Sequence, residues 1–365
     1  MASRTFRGLR ASPLLLPLCT LVVSTAAPHP SRAGSIALDH YRGAPTAEDS
    51  FTLSRPGDLG HLRWGVRLDF DYALDPVVYE TNQGSSRSEV GAVVADQLVG
   101  RLAGALGLID RLVIYLGMPL NMMMSGTKYG DMPGPDGALL GDLFVGLRGR
   151  IWGDPDDVFA LAAQATLTVP TAELYRDAQS FAGENTCTGL VQILAELRWQ
   201  YVIVTANVGA FFRKPTHFGA LDVGHELAWA LGLAFPAIPG TLAAYVEAWG
   251  TTTFATFGDR EASPIEVLAG LRVWAAEGLS LSLAGGSGTG RGYGSPDFRA
   301  VLSFGWSLPS PAPAPDPVPD PVQHNPLDRP AGSTTGGAPC TSEPHPPSTM
   351  VSLAGGGHAS PPSPS

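Results

Sequence analysis

From Leu62 to Tyr72 the chain alternates with a period of two. Leu62, Trp64, Val66, Leu68, Phe70 and Tyr72 are large and apolar; Arg63, Gly65, Arg67, Asp69 and Asp71 are charged or small. A β-strand sends successive side chains to opposite faces, so this segment has one apolar and one charged face. A helix would scatter the same charges around its circumference. The pattern recurs as far as Trp306. Leu98, Leu102 and Leu106 alternate with Gln97, Val99 and Arg101, and Leu112, Ile114, Leu116, Met118, Leu120 and Met122 share one face. Leu143, Val145, Leu147 and Ile151 oppose Asp142, Arg148 and Arg150; Phe159, Leu161, Leu167 and Val169 oppose Gln164, Thr166 and Thr168. Val191, Ile193, Leu197 and Trp199 oppose Gln192, Glu196 and Arg198. Later segments carry Val204, Leu231, Val246, Leu271, Leu281 and Phe304, with Glu226, Glu247, Glu266, Arg272 and Arg299 on the other phase. About twelve segments result, most of them the roughly 9–11 residues with which a tilted strand crosses a bilayer.

Lipid offers no water to pair free N–H and C=O groups, so strands in a membrane must close on themselves. The predicted fold class is therefore all-β: an antiparallel transmembrane β-barrel of about twelve strands over residues 61–307. The connections test this independently. Those expected at 75–87, 125–138, 170–188, 213–220, 251–264 and 286–296 are long; those at 109–111, 153–156, 199–201, 236–240 and 276–278 are short. Such alternation is that of a bacterial barrel with periplasmic turns, external loops and both termini periplasmic. Leu227–Val246 is uncharged and long enough for a membrane helix, but Pro236, Pro239 and Gly240 divide it into two strands. Tryptophans at the strand ends suit interfacial girdles, whereas Trp249 and Trp274 point inward by phase.

Composition adds the flanks. Arg4, Arg7 and Arg10 precede an apolar run from Pro13 to Val23 and the small residues Ser24-Thr25-Ala26, which predicts a signal peptide over 1–26. The run is short for an anchor helix, and Cys19 lacks the small residue of a lipoprotein box. Residues 27–60 are expected to be a flexible N-terminal arm in the periplasm. Residues 308–365, rich in Pro, Gly and Ser, have no hydrophobic period and are expected to be a disordered periplasmic tail. The net charge of −10 leaves no basic surplus for nucleic acid, and only 15% of residues are charged. Cys187 and Cys340 have no metal-ligand neighbours and are expected to be lone thiols.

Catalytic and cofactor chemistry find little support. No histidine has a partner at metal-ligand spacing, and Gly285–Gly292 lacks the Lys-Ser/Thr ending of a phosphate loop. His225, beside Glu226, is the one candidate for a barrel-embedded hydrolase, with no nucleophile paired to it in sequence. No catalytic residue, metal or cofactor is expected. The candidate site is the lumen itself, onto which Arg63, Arg67, Asp69, Asp71, Arg101, Asp142, Arg148, Arg150, Glu196, Arg198, Glu226, Glu247, Glu266 and Arg272 fall by phase. Such charges either form a ladder of ion pairs that fills and rigidifies the barrel or line a water-filled path that selects solutes. Mixed signs, in place of a ring of one sign, favour the ladder.

Short phrases also resemble a family. Leu62-Arg63-Trp64-Gly65 with Tyr72-Ala73-Leu74-Asp75-Pro76, Leu140-Gly141-Asp142-Leu143, Ser180-Phe181-Ala182-Gly183-Glu184, Gly224-His225-Glu226-Leu227 and Ser295-Pro296-Asp297-Phe298-Arg299 resemble the barrel halves of large OmpA-family outer-membrane proteins of Gram-negative bacteria. His225 stands where that group more usually has Asn. The resemblance covers roughly 55–307. It implies an outer-membrane location, lipid as surroundings and the barrel-assembly machinery as a partner during biogenesis. Related barrels are transporters of the phenol-degradation type, which implies passage of small, hydrophobic molecules. Such proteins usually continue into acidic repeats and a peptidoglycan-binding OmpA domain. Residues 308–365 are too few and too polar to form that domain, so peptidoglycan binding is not expected; a truncated or frame-shifted gene would account for the difference. The expected function is a non-enzymatic outer-membrane barrel, structural or a narrow pore, with a transporter as the alternative.

Overall fold

In the computed structural model the described residues are Ala37 and 39–309, apart from 84–85, 128–137, 155–156, 176–181, 219–220 and 290–291. The leader expected at 1–26 and the tail from 310 onward lie outside them, as does Cys340.

Twelve long strands follow one another: β1 (Trp64–Gln83), β2 (Ser86–Ile109), β3 (Leu112–Ser125), β4 (Leu143–Trp152), β5 (Phe159–Val169), β6 (Thr188–Arg198), β7 (Ile203–Phe212), β8 (Glu226–Ile238), β9 (Leu242–Thr253), β10 (Ile265–Ala276), β11 (Leu279–Gly288) and β12 (Phe298–Ser307). Each pairs antiparallel with its chain neighbours. β12 returns to β1 in register from Gly65↔Ser307 to Leu74↔Phe298, so the sheet is closed. Closure removes both sheet edges, which is what a lipid-facing sheet requires. A short strand, Leu139–Leu140, adds to β3; a hairpin of Thr216–Phe218 and Leu221–Val223 and a 3₁₀ turn, Thr171–Tyr175, lie in the long connections.

The period of two becomes a two-faced wall. Leu102, Leu116 and Leu283 point outward and are 60%, 59% and 62% exposed, whereas Glu196, Glu226, Glu247 and Glu266 on the opposite phase are at most 1% exposed. Exposed leucine, isoleucine, valine and phenylalanine continue around the barrel. That band far exceeds the few hundred Å² of apolar patch tolerated in water and matches lipid. Trp64, Trp152, Trp199 and Trp306 gather at the short-turn end, where the rings of Trp64 and Trp306 meet edge to face at 4.8 Å. Trp249 is buried inside and Trp274 packs against the interior cluster. Leu227–Val246 is two strands, β8 and β9, turning at Pro239–Thr241.

Two sequence expectations are corrected. The connection predicted over 75–87 is mostly strand: β1 runs to Gln83 and β2 starts at Ser86. Asp75-Pro76 reads as a turn but sits at a break in the ladder, where register shifts between Leu74 and Val77 and Asp75 takes a φ of 50°. A bulge absorbs the missing proline N–H, and pairing resumes beyond it.

The second correction concerns the arm predicted as flexible over 27–60. Its described part from residue 39 onward lies inside the barrel. Tyr41, Phe51 and Leu53 are at most 2% exposed and pack with Tyr245, Trp249, Leu268 and Val301 of the wall. Full burial of such side chains contributes about 1.5–3 kcal/mol each, enough to order a segment that sequence composition alone marks as a loop. The segment folds over itself: the Asp49 carboxylate accepts the N–H of Thr46 at 3.0 Å and of Arg55 at 2.8 Å, and Ala44 N–H donates to Phe51 O at 2.9 Å. It joins β1 at the short-turn end through Gly60 (φ 80°), whose carbonyl lies so close to β2 that a Cβ on Gly107 would meet it at 2.0 Å. Glycine at both positions permits the crossing.

Candidate functional site

Each strand delivers its inward residues in register, and the inner segment (residues 39–59) meets them as a plug. On β9, Glu247 accepts the N–H groups of Phe51 and Thr52, both at 2.8 Å, and the Thr52 hydroxyl at 2.7 Å. Arg67 on β1 donates to Ser50 O at 2.6 Å and is held by Asp69 at 2.9 Å; Asp69 also accepts the Ser303 hydroxyl. Arg272 on β10 donates to Asp49 O at 2.6 Å and to Ser282. Three arginines of the wall thus converge on one turn of the plug. The third, Arg148 on β4, grips Asp49 through two nitrogens at 2.7 and 2.9 Å and donates to Gln164 at 2.9 Å.

The opposite polarity occurs as well. Arg55 of the plug forms a fork with Glu196 on β6 at 2.6 and 2.8 Å, and Arg198 also reaches Glu196. Arg150 pairs with Asp58 of the plug at 2.9 Å. On β12, Arg299 is a hub of three carboxylates: Glu266 at 2.8 Å, Asp71 at 2.5 Å and Asp39 of the plug at 2.9 Å. Asp142 accepts the N–H of Ala172 at 3.0 Å and of Glu184 at 2.6 Å, pinning the connection between β5 and β6. Near the long-loop end Arg213 joins Glu184 at 2.6 Å and Glu226 at 3.3 Å, and the Tyr293 hydroxyl donates to Glu226 at 2.8 Å. Arg63 stands half-buried at the short-turn rim, and Arg101 reaches Tyr41 O at 3.1 Å.

Sequence phase therefore brings together the wall half of this network. It misses the plug half (Asp39, His40, Arg42, Asp49, Arg55 and Asp58) together with Arg299, Arg213, Glu184 and Tyr293. Arg299 carried the signal, since it alternates with Phe298 and Ala300. For the plug, the available signal was Tyr41, Phe51, Leu53 and Leu59 in a segment that a truly mobile arm would leave polar.

Magnitudes separate the roles of the two kinds of contact. Burying an ion pair costs several kcal/mol of desolvation per ion and rarely gives a net gain, while removing one partner costs about 3–5 kcal/mol. The apolar side chains of the plug supply the attraction, and the charge pairs fix its position. Burial shifts the titration of plug and loop groups. It pulls the His40 imidazole down to about 4, against an opposing pull from Glu226. Burial pushes the Asp49 carboxyl up, but Arg148 and the donors around it outweigh burial and hold it below the ordinary carboxylate range. For Glu184 burial wins over Arg213, and its carboxyl is raised.

Two cavities flank the plug, the outer one walled by β2–β6, β8 and β9 and the inner one by β3, β4 and β6. The outer one, about 230 Å³, lies towards the long-loop end between plug residues such as Arg42 and Thr52 and wall residues such as Tyr115, Gln164 and Thr188. The inner one, about 270 Å³, lies towards the short turns beside Glu48, Asp58, Val113 and Arg198. Arg148 lines the inner cavity and its hydrogen-bond partner Gln164 lines the outer one. The Arg148–Asp49 pair therefore borders the inner cavity, and the Arg148–Gln164 hydrogen bond links it to the wall of the outer one.

His225 lies apart from all this. Its ring is exposed and meets Phe212 edge to face at 5.7 Å.

No family model and no curated protein matches the sequence. Among solved structures, the chain resembles an outer membrane channel from Pseudomonas putida F1 at 18% identity and a TM-score of 0.54, over 71% of this chain and all of that one. The NanC porin follows at 8% identity and a TM-score of 0.42, over 67% of this chain and 98% of the other. The outer membrane channel DcaP of Acinetobacter baumannii aligns at 10% identity and a TM-score of 0.32, over 70% of this chain and all of that one. At such identity the first likeness speaks to the fold alone, which is that of a closed antiparallel β-barrel.

Proposed function

We propose that the chain is a narrow-pore channel of a Gram-negative outer membrane, without enzymatic activity. The observation that carries this reading is the pair of cavities left beside the plug, the inner one bordered by the Arg148–Asp49 ion pair and linked to the outer one by the Arg148–Gln164 hydrogen bond. A purely structural barrel gains nothing from internal voids, because a void forfeits packing contacts. A conduit needs them, with polar groups that hold water and a constriction that selects. The Pseudomonas putida structure of like fold is described as an outer membrane channel, in agreement with this reading. The family resemblance in the sequence points the same way. In this reading the short turns and both termini face the periplasm, lipid surrounds the apolar band, and the barrel-assembly machinery inserts the chain. A hydrolase is disfavoured because His225 packs on the outer face against Phe212, away from the buried charges.

Refolded full-length protein in planar bilayers is expected to give small, discrete current steps. Asp49→Ala removes the carboxylate that holds Arg148 and should raise the mean conductance. A silent bilayer, from protein whose heat-shifted gel band shows an intact barrel, would instead identify a plugged structural protein.

A further inference from the structure

The outer cavity differs from the rest of the interior in its charge. Most other interior arginines are paired: Arg55, Arg67, Arg148, Arg150, Arg213 and Arg299 each have a carboxylate within an ion-pair distance, while Arg272 is satisfied by the Asp49 carbonyl and the Ser282 hydroxyl. Arg42 and Arg101, which both line this cavity, have none among the described residues. Arg42 lies over the Phe211 ring, 3.9 Å from its centroid, and Arg101 donates one bond to Tyr41 O and leaves its Nη1 buried without a partner. The two carboxylates at the cavity are already engaged. Asp142 accepts two backbone N–H groups and Glu184 is paired with Arg213. Glu226, the strongest attracting charge near Arg42, is shared by Arg213 and Tyr293. Burial pulls the Arg42 pKa down, a penalty that an incoming negative charge would relieve.

The remaining wall is of another character. Tyr115, Phe144 and Trp249 give it aromatic surface and Leu190 and Ala228 aliphatic surface, while Thr166 and Gln192 offer neutral hydrogen bonds. The Trp249 Nε1 is a second buried donor without a partner. The volume, about 230 Å³, exceeds what a single water needs many times over. It falls just below the roughly 300–1,000 Å³ of sites for drug-sized ligands.

We propose that this cavity is a binding site for a small organic anion, a carboxylate on an apolar body of about one ring. The guanidinium groups of Arg42 and Arg101 would receive the carboxylate, and the aromatic wall would cover the body. This inference deepens the channel reading, since it names the solute class that such a conduit would take, but binding itself can be measured without transport.

The test is titration calorimetry on refolded full-length protein in detergent, with benzoate, its neutral shape-mimic benzamide, and acetate as probes. Benzoate is expected to bind, and benzamide and acetate each to bind about tenfold more weakly or less. Arg42→Gln and Arg101→Gln should each weaken benzoate by about tenfold, while Arg42→Lys keeps most of the affinity. Benzamide equal to benzoate would overturn the anion assignment, acetate equal to benzoate would overturn the apolar body, and no benzoate binding would overturn both. Because the probe comparison uses the unaltered chain, it stands even where a glutamine variant loses its heat-shifted band. Benzoate binding by a protein silent in bilayers would sink the channel and spare the site; conduction without benzoate binding would do the reverse.

Discussion

His40 shows how far a single residue's behaviour depends on where the chain puts it. In sequence it is one of several scattered histidines. In the fold it is 4% exposed, its ring edge-on to Tyr293 at 4.6 Å, with Arg42 and Arg213 adding repulsion to the cost of burial. Its pKa falls to about 4, whereas in the unfolded chain it returns to about 6.5. Between those values the unfolded state binds more protons than the folded one, so stability falls as the pH is lowered from about 6.5 to about 4. Above this window the group is neutral in both states and contributes no slope. The loss over the window is on the order of 3 kcal/mol. Thermal unfolding followed from pH 7 to pH 4 should show this slope, and His40→Gln should flatten it; an unchanged slope in the variant would assign it to other groups. Arg299 teaches a related lesson. Its alternation with Phe298 and Ala300 was legible, but that three carboxylates from β1, β10 and the plug meet on it was not, because their sequence separations span most of the chain.

At the scale of the element, strands were the legible unit, because a period of two with one greasy face has no other stable reading. Twelve alternating segments became twelve strands, and the long and short connections fell where turn residues broke the pattern. Failure occurred where a local signal and a tertiary one disagreed. Asp75-Pro76 broke the pattern without ending the strand, since β1 and β2 support each other beyond the bulge. The plug had no period to read, because it pairs with no strand of the barrel and is held by side chains of the wall. The two faces of a strand should differ sharply on substitution. Leu283, in the middle of β11 and 62% exposed, faces outward. Leu283→Lys is expected to cost about 2–4 kcal/mol, as a charge near the bilayer midplane does. The measurement is urea unfolding in lipid vesicles; a cost near zero would mean that this band does not face lipid.

For the molecule as a whole, the consequence is an orientation. Short turns at one end and long connections at the other, with the plug joining β1 beside the short turns, give the barrel two unlike mouths. The outer cavity, whose Arg42 and Arg101 have no ion-pair partner among the described residues, lies towards the long connections, which the proposed topology places outside the cell. Cysteines introduced at exposed positions check this. Asp259→Cys, in the connection between β9 and β10, should react with a membrane-impermeant maleimide on intact cells. Glu277→Cys, in the turn between β10 and β11, should react only after the outer membrane is permeabilised. The reverse labelling would invert the proposed topology.

By itself the sequence determined the wall: how many strands, which face of each is apolar and, except over 75–87, which connections are long. It could do so because strand alternation is local, and because lipid on one side and polar interior on the other impose it on every strand alike. Only the tertiary structure decided what fills the wall. Whether Arg67, Arg148 and Glu247 would face water, one another or a further segment depends on contacts across the lumen, and no local pattern encodes those. The structure answers with residues 39–59, which pair with the wall charges and leave a space that carries two arginines without ion-pair partners among the described residues.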